Sequence, residues 1–477
     1  MLQAGMKKFV KAKMQRFLNE PAIRAIFCAA FIPSTPHTIS LDGLQHITSD
    51  RAPDVMLSTG QQEALDLINS AAQCCTVVQG PPGTGKTFLA ATAISLRNIE
   101  AMGHTAAGRD VTLFVTETNA AALNIAVALE KKEELAKDKR FKLVLTTTVE
   151  DFAHGDEKRA IKRLREKGLI WVPSDTTKAQ NRNLLKGTRI LVCTVQDSFL
   201  RILLILKFGG LVVKNLRDLL VGSQMRVKEM FVDEGGKVPS CVLVPILYFF
   251  NQVQKLVILG DPAQLPPYGP SSPVPLKSSF SYYEPHPSFL ELQRRVPGPI
   301  AEILSAISYN DLLQSTPEKA AMPVSECVFW IDVAGTQEKD GSSVKNEAEA
   351  AAVLKALASS ITFQNSFNTP GAIPSVFVIT LYRGQKVQIK TILDTSPYKM
   401  VSVGTVDSIQ GQERDVVVFS LVRTATVGFA DQRRINVALS RGKKELWMIG
   451  DRAFWLREHK GAEAITRIAK IATVIRP

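Results

Sequence analysis

Gly80, Gly85, Lys86 and Thr87 stand in the stretch "QGPPGTGKTF" at the spacing G-x-x-x-x-G-K-T. Glycines there let successive backbone N–H groups turn inward, so that phosphate oxygens are surrounded at a helix N-terminus. The lysine brings a point charge to the outer phosphates, and the threonine hydroxyl is a ligand for Mg2+. The nucleotide-binding candidates are Gly80, Pro81, Pro82, Gly83, Thr84, Gly85, Lys86 and Thr87. A glycine-rich turn with a chance lysine is the bland alternative, and the strand before it and helix after it weigh against that. Further on, "FVDEGG" puts Asp233 and Glu234 directly behind two apolar residues. A carboxylate at a strand end holds the Mg2+ shell, and its neighbour orients or deprotonates an attacking water. Acid pairs at strand ends are common, so this pair takes its meaning from the phosphate loop upstream.

Such residues need strands to carry them. Near-continuous apolar runs predict parallel strands covered on both faces at "CCTVVQG" (74–80), "VTLFVTE" (111–117), "TRILVCT" (188–194), "EMFVDE" (229–234) and "KLVILGD" (255–261). A charged, helix-rich insert at about 131–187 interrupts that rhythm, and the Pro- and Ser-rich stretch 267–288 reads as an interdomain linker. The rhythm then restarts with "VFWIDV" (328–333), "SVFVITL" (375–381), "VSVGTV" (401–406), "DVVVFSLV" (415–422) and "ELWMIGD" (445–451), and a helix is predicted over 346–360. Two consecutive α/β domains follow from this alternation, in a chain of 477 residues that is too long for one ordinary core.

Composition narrows the class. A hydrophobic fraction of 45% against 22% charged residues belongs to a folded globular protein. The net charge of +13 fits a polyanionic partner, though basic proteins are common. Cys28, Cys74, Cys75, Cys193, Cys241 and Cys327 form no C-x-x-C pair, which excludes a zinc module and reads as buried, reduced thiols. The longest apolar stretch, 199–213, carries Arg201 and Lys207 and is too short to cross a bilayer, so no membrane partner is expected. The basic N-terminal stretch without an acidic residue reads as an amphipathic helix or, as a minority reading, a mitochondrial presequence. Cytoplasmic residence is otherwise expected, with the nucleus open.

Several further segments make the chain resemble the superfamily 1B helicases, above all the branch of the nonsense-mediated-decay RNA helicase. "GDPAQLPP" (260–267) is similar to that family's motif III, "ELQRRVPGPI" (291–300) to the segment opening the second domain, "ITLYRGQ" (379–385) to motif IV, "VGTVDSIQGQERDVVVFSLVR" (403–423) to motif V, and "RRINVALSRGKK" to motif VI. Upstream, "LSTGQQEA" (57–64) resembles the Q motif, and "TETNAAALNIA" and "LVCTVQDS" resemble motifs Ia and Ic.

The resemblance implies two tandem RecA-like P-loop domains: an accessory segment 1–56, a first ATP-binding domain 57–275 with the helical insert, and a second domain 276–477. It assigns Gln61 to adenine, Gln264 to the γ-phosphate, Arg295 and Arg441 to ATP from the second domain, Tyr382 to stacking on the base, and Glu413 to the nucleotide. Thr116, Asn119, Thr194 and Thr405 are then phosphate contacts for a nucleic-acid strand, while Thr87 and Asp233 hold Mg2+. Lys86, Asp233, Glu234, Gln264, Arg295 and Arg441 make up the catalytic set, with ATP and Mg2+ as cofactors.

The chain also departs from the pattern. "DEGGK" places Lys237 behind the acid pair, "QRR" brings Arg294 beside Arg295, and the residues before 57 are too few for the zinc-binding regulatory domain of several relatives.

The function expected on this footing is an ATP-dependent helicase or translocase on single-stranded nucleic acid, RNA favoured over DNA, hydrolysing ATP between the two domains, moving 5′-to-3′ and acting as a monomer. The alternative is a nucleic-acid-binding ATPase clamp without productive unwinding.

Overall fold

The computed structural model describes residues 56–476, apart from 71–72, 105–109, 133–142, 146–155, 167–169, 172–188, 195–225, 240–241, 244–245, 248–249, 251, 268–277, 279, 281–287, 370–374, 410, 429 and 458–459. The accessory segment and its N-terminal basic stretch therefore lie outside the described residues. The chain divides into two compact units. The first reaches Gly80 and continues through Lys86–Pro262 and Pro266–Leu290; the second takes in Pro81–Gly85, Ala263–Leu265 and Glu291–Pro477.

The first unit begins with helix α1 (Thr59–Asn69), whose N-cap Ser58 accepts from Gln61 N while the Gln61 side chain accepts in return from Ser58 N. It continues through β1 (Cys75–Gln79), α2 (Lys86–His104), β2 (Asp110–Thr116), α3 (Asn119–Glu130), β3 (Leu143–Leu145), α4 (Asp156–Glu166), β4 (Ile170–Trp171), β5 (Ile190–Thr194), β6 (Arg226–Val232), β7 (Lys255–Gly260) and β8 (Ser288–Phe289). All eight strands are parallel, in the order β4-β3-β5-β2-β6-β7-β1-β8. The five apolar runs expected as strands are β1, β2, β5, β6 and β7. Their continuous hydrophobicity reflects burial on both faces. One face carries Val78, Phe114, Val192, Phe231 and Val257 under α1–α4, the other Val77, Leu113, Val115, Met230 and Ile258. Because the strands are parallel, their C-terminal ends share one edge, and both acid pair and phosphate loop emerge there.

Two expectations change in detail. The insert at 131–187 holds the expected helix, α4, and also the short strands β3 and β4, which extend the sheet at one edge. The stretch 267–288, read as a linker, is partly built into the first unit: Ser278 bridges Pro239, and Phe280 is buried in the core. Composition alone hides this, because one large apolar ring gains more by burial than by exposure.

The second unit holds β9 (Leu292–Gln293), α5 (Gly298–Ser308), β10 (Gln314–Ser315), β11 (Val328–Asp332), the hairpin β12 (Glu338–Asp340) and β13 (Ser343–Lys345), α6 (Glu347–Ser359), α7 (Ile361–Phe367), β14 (Val376–Thr380), α8 (Arg383–Asp394), β15 (Ser402–Thr405), β16 (Arg414–Ser420), α9 (Gln432–Leu439), β17 (Gly442–Gly450), α10 (Glu463–Ile471) and β18 (Thr473–Ile475). Its main sheet has six parallel strands in the order β15-β14-β16-β17-β11-β18. Helix α6 starts at the N-cap Asn346, whose side chain accepts from Glu349 N at 3.2 Å, and packs Ala350, Val353 and Leu357 onto Val378, Val418 and Trp447. The fold is thus the expected α/β pair of parallel sheets, and no helix among the described residues is long and apolar enough to cross a membrane.

Candidate functional site

The phosphate loop leaves β1 with Gly80 N donating to Gly260 O at 2.8 Å and enters α2 at Lys86. Between them the backbone takes two left-handed steps, at Gly83 (φ +77) and Gly85 (φ +85), which only glycine adopts without strain. Alternation of this kind turns N–H groups to one side and makes an anion-binding concavity. The turn is fastened by Thr84 Oγ1, which donates to Pro81 O at 2.8 Å, and by Arg294 N, which donates to Gly83 O at 3.0 Å. A Cβ on Gly83 would stand 2.6 Å from Arg295 Cβ, so the close approach also requires glycine. Thr87 is half-buried at the first turn of α2, and the Lys86 ammonium donates to Gly80 O at 2.5 Å.

Asp233 follows β6 and is tied to β2 by its N–H, which donates to Val115 O at 2.9 Å. Its carboxylate is buried and accepts from Glu234 N at 2.9 Å. Burial, with a smaller push from Glu234, lifts the Asp233 carboxyl to about 6, against the pull of Lys86. Glu234 sits at φ +54, a strained conformation for a residue with a side chain, within a turn closed by Lys237 N donating to Glu234 O at 2.8 Å. A hydroxyl and a buried carboxylate are the hard oxygen donors Mg2+ takes, and a divalent cation beside Asp233 would keep it ionised. Thr87 and Asp233 therefore fit the metal.

Glu117, to which the sequence pattern gives no role, belongs to the same neighbourhood. Burial raises its carboxyl, Lys237 offsets part of that rise, and Glu234 adds to it. Lys237, the departure from the family pattern, is thus electrostatically in touch with Glu117. Register places Thr116 of β2 opposite Thr194 of β5, both buried at the sheet's C-terminal edge. Thr116 Oγ1 donates to Thr118 O at 3.0 Å, and Asn119 opens α3 half-buried beside the N-cap Thr118. Gln61 is buried with its Oε1 in the α1 capping box.

In the second unit, Arg441 follows α9 and is 2% exposed. Its guanidinium donates to Gln264 Oε1 at 2.9 Å, Val437 O at 2.9 Å and Gln412 O at 3.3 Å. The apolar side of "NVAL" is buried, which anchors the helix that carries the arginine. Asn436, missed by pattern reading, donates to Ala263 O at 3.0 Å and Tyr309 Oη at 2.8 Å, beside Gln264 in sequence. Arg295 Nε pairs with Glu413 Oε2 at 2.6 Å, and Lys443 Nζ with the other Glu413 oxygen at 2.5 Å. Burial works to raise the Glu413 carboxyl, but Arg295 and Lys443 outweigh it and hold it below its ordinary value. Arg294 is exposed.

Tyr382 is buried at the start of α8 and accepts from Arg423 Nε at 2.8 Å, with that guanidinium 4.8 Å from the ring centre. Arg423 follows Val422, whose φ of +70 is a genuine outlier for a β-branched residue. Glu349 holds this bend: its carboxylate accepts from Val422 N at 2.7 Å and from Ser420 Oγ at 2.8 Å. Thr405 ends β15 in register with Thr380, its N–H donating to Ser408 Oγ at 3.0 Å. Glu349, Val422 and Arg423 also escaped pattern reading; the acid sits at the third position of a capped helix, where a solvent-facing carboxylate is usual.

Burial lifts the Glu349 carboxyl to about 8, against the hydrogen bonds from Val422 and Ser420. Its folded value lies above the unfolded one, so the folded state keeps a proton that the unfolded chain releases, and stability falls as pH rises from about 4.5 towards about 8. Glu349→Gln removes that contribution. The expected result is an unfolding free energy, read from urea titrations, that declines less between pH 5 and pH 9 than in the native protein, by roughly 1.4 kcal/mol per pH unit at most. Parallel pH profiles for the two proteins would refute it.

Residues 61–270 match a family model described as an AAA domain, and residues 276–453 match a second model of that description. The chain is 32% identical over 228 residues to the 5'-3' DNA helicase ZGRF1 of Mus musculus, covering 44% of this chain and 12% of that protein. It is 26% identical over 447 residues to the ATP-dependent helicase upf1 of Schizosaccharomyces pombe, covering 83% of this chain and 44% of that one. With the DNA polymerase alpha-associated DNA helicase A of Saccharomyces cerevisiae it shares 26% identity over 494 residues, covering 88% and 67%. It thus spans less than half the length of the first two.

Proposed function

The chain belongs to the superfamily 1 helicases, resembling their nonsense-mediated-decay branch, and from that premise we propose that it is an ATP-dependent helicase or translocase on single-stranded nucleic acid. The observation that carries this reading is the phosphate loop, with left-handed Gly83 and Gly85 ahead of Lys86, together with a buried carboxylate at Asp233. Lys86 binds the outer phosphates, Glu234 orients water and accepts its proton at a carboxylate oxygen, and Gln264 and Arg441, already bonded to each other, respond to the γ-phosphate. Thr87 and Asp233 hold Mg2+, which when bound neutralises charge on the phosphates. Arg295 and Glu413 act on the nucleotide as a pair, Gln61 on the adenine and Tyr382 on the base. Thr116, Asn119, Thr194 and Thr405, at or just beyond strand ends, grip the phosphate backbone.

RNA is the favoured strand and 5′-to-3′ the direction. The first rests on the resemblance to the RNA-decay branch, the second on that branch and on a relative named as a 5'-3' helicase. The test is ATPase activity titrated with single-stranded RNA and then DNA at fixed salt, beside strand displacement from 5′- and 3′-tailed duplexes. Stimulation that is stronger with RNA, and displacement from the 5′-tailed duplex, are expected. No stimulation by either strand overturns the proposal; stimulation without displacement from any duplex replaces the motor with a clamp.

A further inference from the structure

Helix α2 carries Lys86 and Thr87 at its first turn, and strand β6 leads directly into Asp233. Their separation depends on how far the helix has slid along the strand, and apolar packing between them is poorly directional. A second, charged contact lies further down the same two elements. Arg97 of α2, 2% exposed, donates its Nε to Glu229 Oε1 of β6 at 2.6 Å, and Thr112 Oγ1 donates to Glu229 Oε2 at 3.1 Å. Arg97 Nη1 also donates to Ile68 O at 3.3 Å, at the end of α1.

Spacing makes the two contacts one ladder. Lys86 and Arg97 are eleven residues apart, about three turns, so they share a helix face and lie roughly 16 Å apart along the axis. Glu229 and Asp233 are four residues apart on a strand, on one face and roughly 13 Å apart. Between the rungs, Phe231 packs in a cluster with Leu89, Ala90 and Ile94 of α2 and stacks on Phe114 at 6.3 Å.

A bulge arranges this. Val227 pairs with Val111 but Glu229 pairs with Thr112, so Lys228 is the extra residue. Val227 joins Met230 and Val232 on the far face, and Glu229 is re-aimed to the α2 face.

We infer that Arg97 and Glu229 are positioning residues for hydrolysis: the buried pair fixes the register of α2 against β6, and with it the placement of Lys86 and Thr87 relative to Asp233. This rests on the nucleotide reading above. Neither residue touches substrate.

Removing Glu229 alone leaves Arg97 buried beside Lys255, whose ammonium donates to Ser70 O at 2.9 Å and also to Gln73 O. Such a variant is prone to unfold. The experiment therefore uses the double variant Arg97→Met/Glu229→Gln in the full chain, since exchanging a whole buried pair for neutral groups of similar size is often tolerated. Leu191→Ala, fully buried on the sheet's far face, is the control for destabilisation.

The double variant is expected to melt near the native temperature yet lose about tenfold or more in kcat, and to lose by a similar factor the gain in affinity that Mg2+ confers on a fluorescent ATP analogue. Leu191→Ala is expected to melt lower and keep both. A double variant with native kcat and native Mg2+-dependent affinity overturns the inference, as does a control that loses them equally. A native chain that hydrolyses no ATP refutes the functional reading instead, and the affinity measurement still decides on the pair.

Discussion

Lys86→Ala is expected to abolish the proposed ATP hydrolysis, lowering kcat by at least ~10²–10³-fold, while the protein melts at an unchanged or slightly higher temperature. The two halves of this result have separate causes. Lys86 is half-exposed at the first turn of α2, and its ammonium donates to a loop carbonyl, Gly80 O. A cation at a helix N-terminus opposes the macrodipole, and alanine is the best helix former, so these gains offset the lost bond to Gly80 O. The chemistry loses a charge aimed at the phosphates. It also loses a charge that holds down the Asp233 carboxyl: without Lys86, burial and the Glu234 charge are opposed only by the hydrogen bond from Glu234 N, and the carboxyl rises further. Less of the carboxylate is then ionised near neutral pH, and Mg2+ binding weakens together with phosphate binding. A steady-state ATPase assay beside a thermal melt decides the matter. Loss of activity with a large drop in melting temperature would mean that Lys86 is structural.

The same residues show what a sequence discloses and what it hides. The phosphate loop was legible because its chemistry is local: eight consecutive residues, two of them glycines that need φ above zero. The long central strands were legible because burial on both faces leaves an unbroken apolar run. Strands of two or three residues, such as β3, β4, β8 and β10, carry too little periodicity to stand out. Glu229 reads as one more charge near a strand, and nothing local reveals that Arg97, 132 residues earlier, meets it after a bulge. Glu349 is hidden for the same reason. A carboxylate behind an Asn N-cap normally faces water, and only the third dimension brings β16 and the bend at Val422 over it. Long-range polar pairs are set by register, and register is what sequence periodicity leaves open.

Arg441→Ala is expected to lower kcat by about 10³-fold with little change in the ATP KM, because a charge that serves the transition state contributes little to ground-state binding. Truncation also removes charged donors from Val437 O, Gln412 O and Gln264 Oε1, and a hydrogen bond from a charged group contributes about 1.5–3 kcal/mol. A lower melting temperature must therefore accompany the kinetic effect, and the two have to be separated. Arg441→Lys keeps the charge but loses the planar fork, so it holds fewer of these partners and recovers only part of kcat. The sharper comparison is with Gln264→Ala. In this structure the two side chains assigned to the γ-phosphate are bonded to each other at 2.9 Å, so they act as a unit rather than as independent sensors. A double-mutant cycle should find the combined loss in kcat smaller than the product of the single losses. Additive effects would dissolve that unit, and native turnover by a well-folded Arg441→Ala protein would remove Arg441 from the catalytic set.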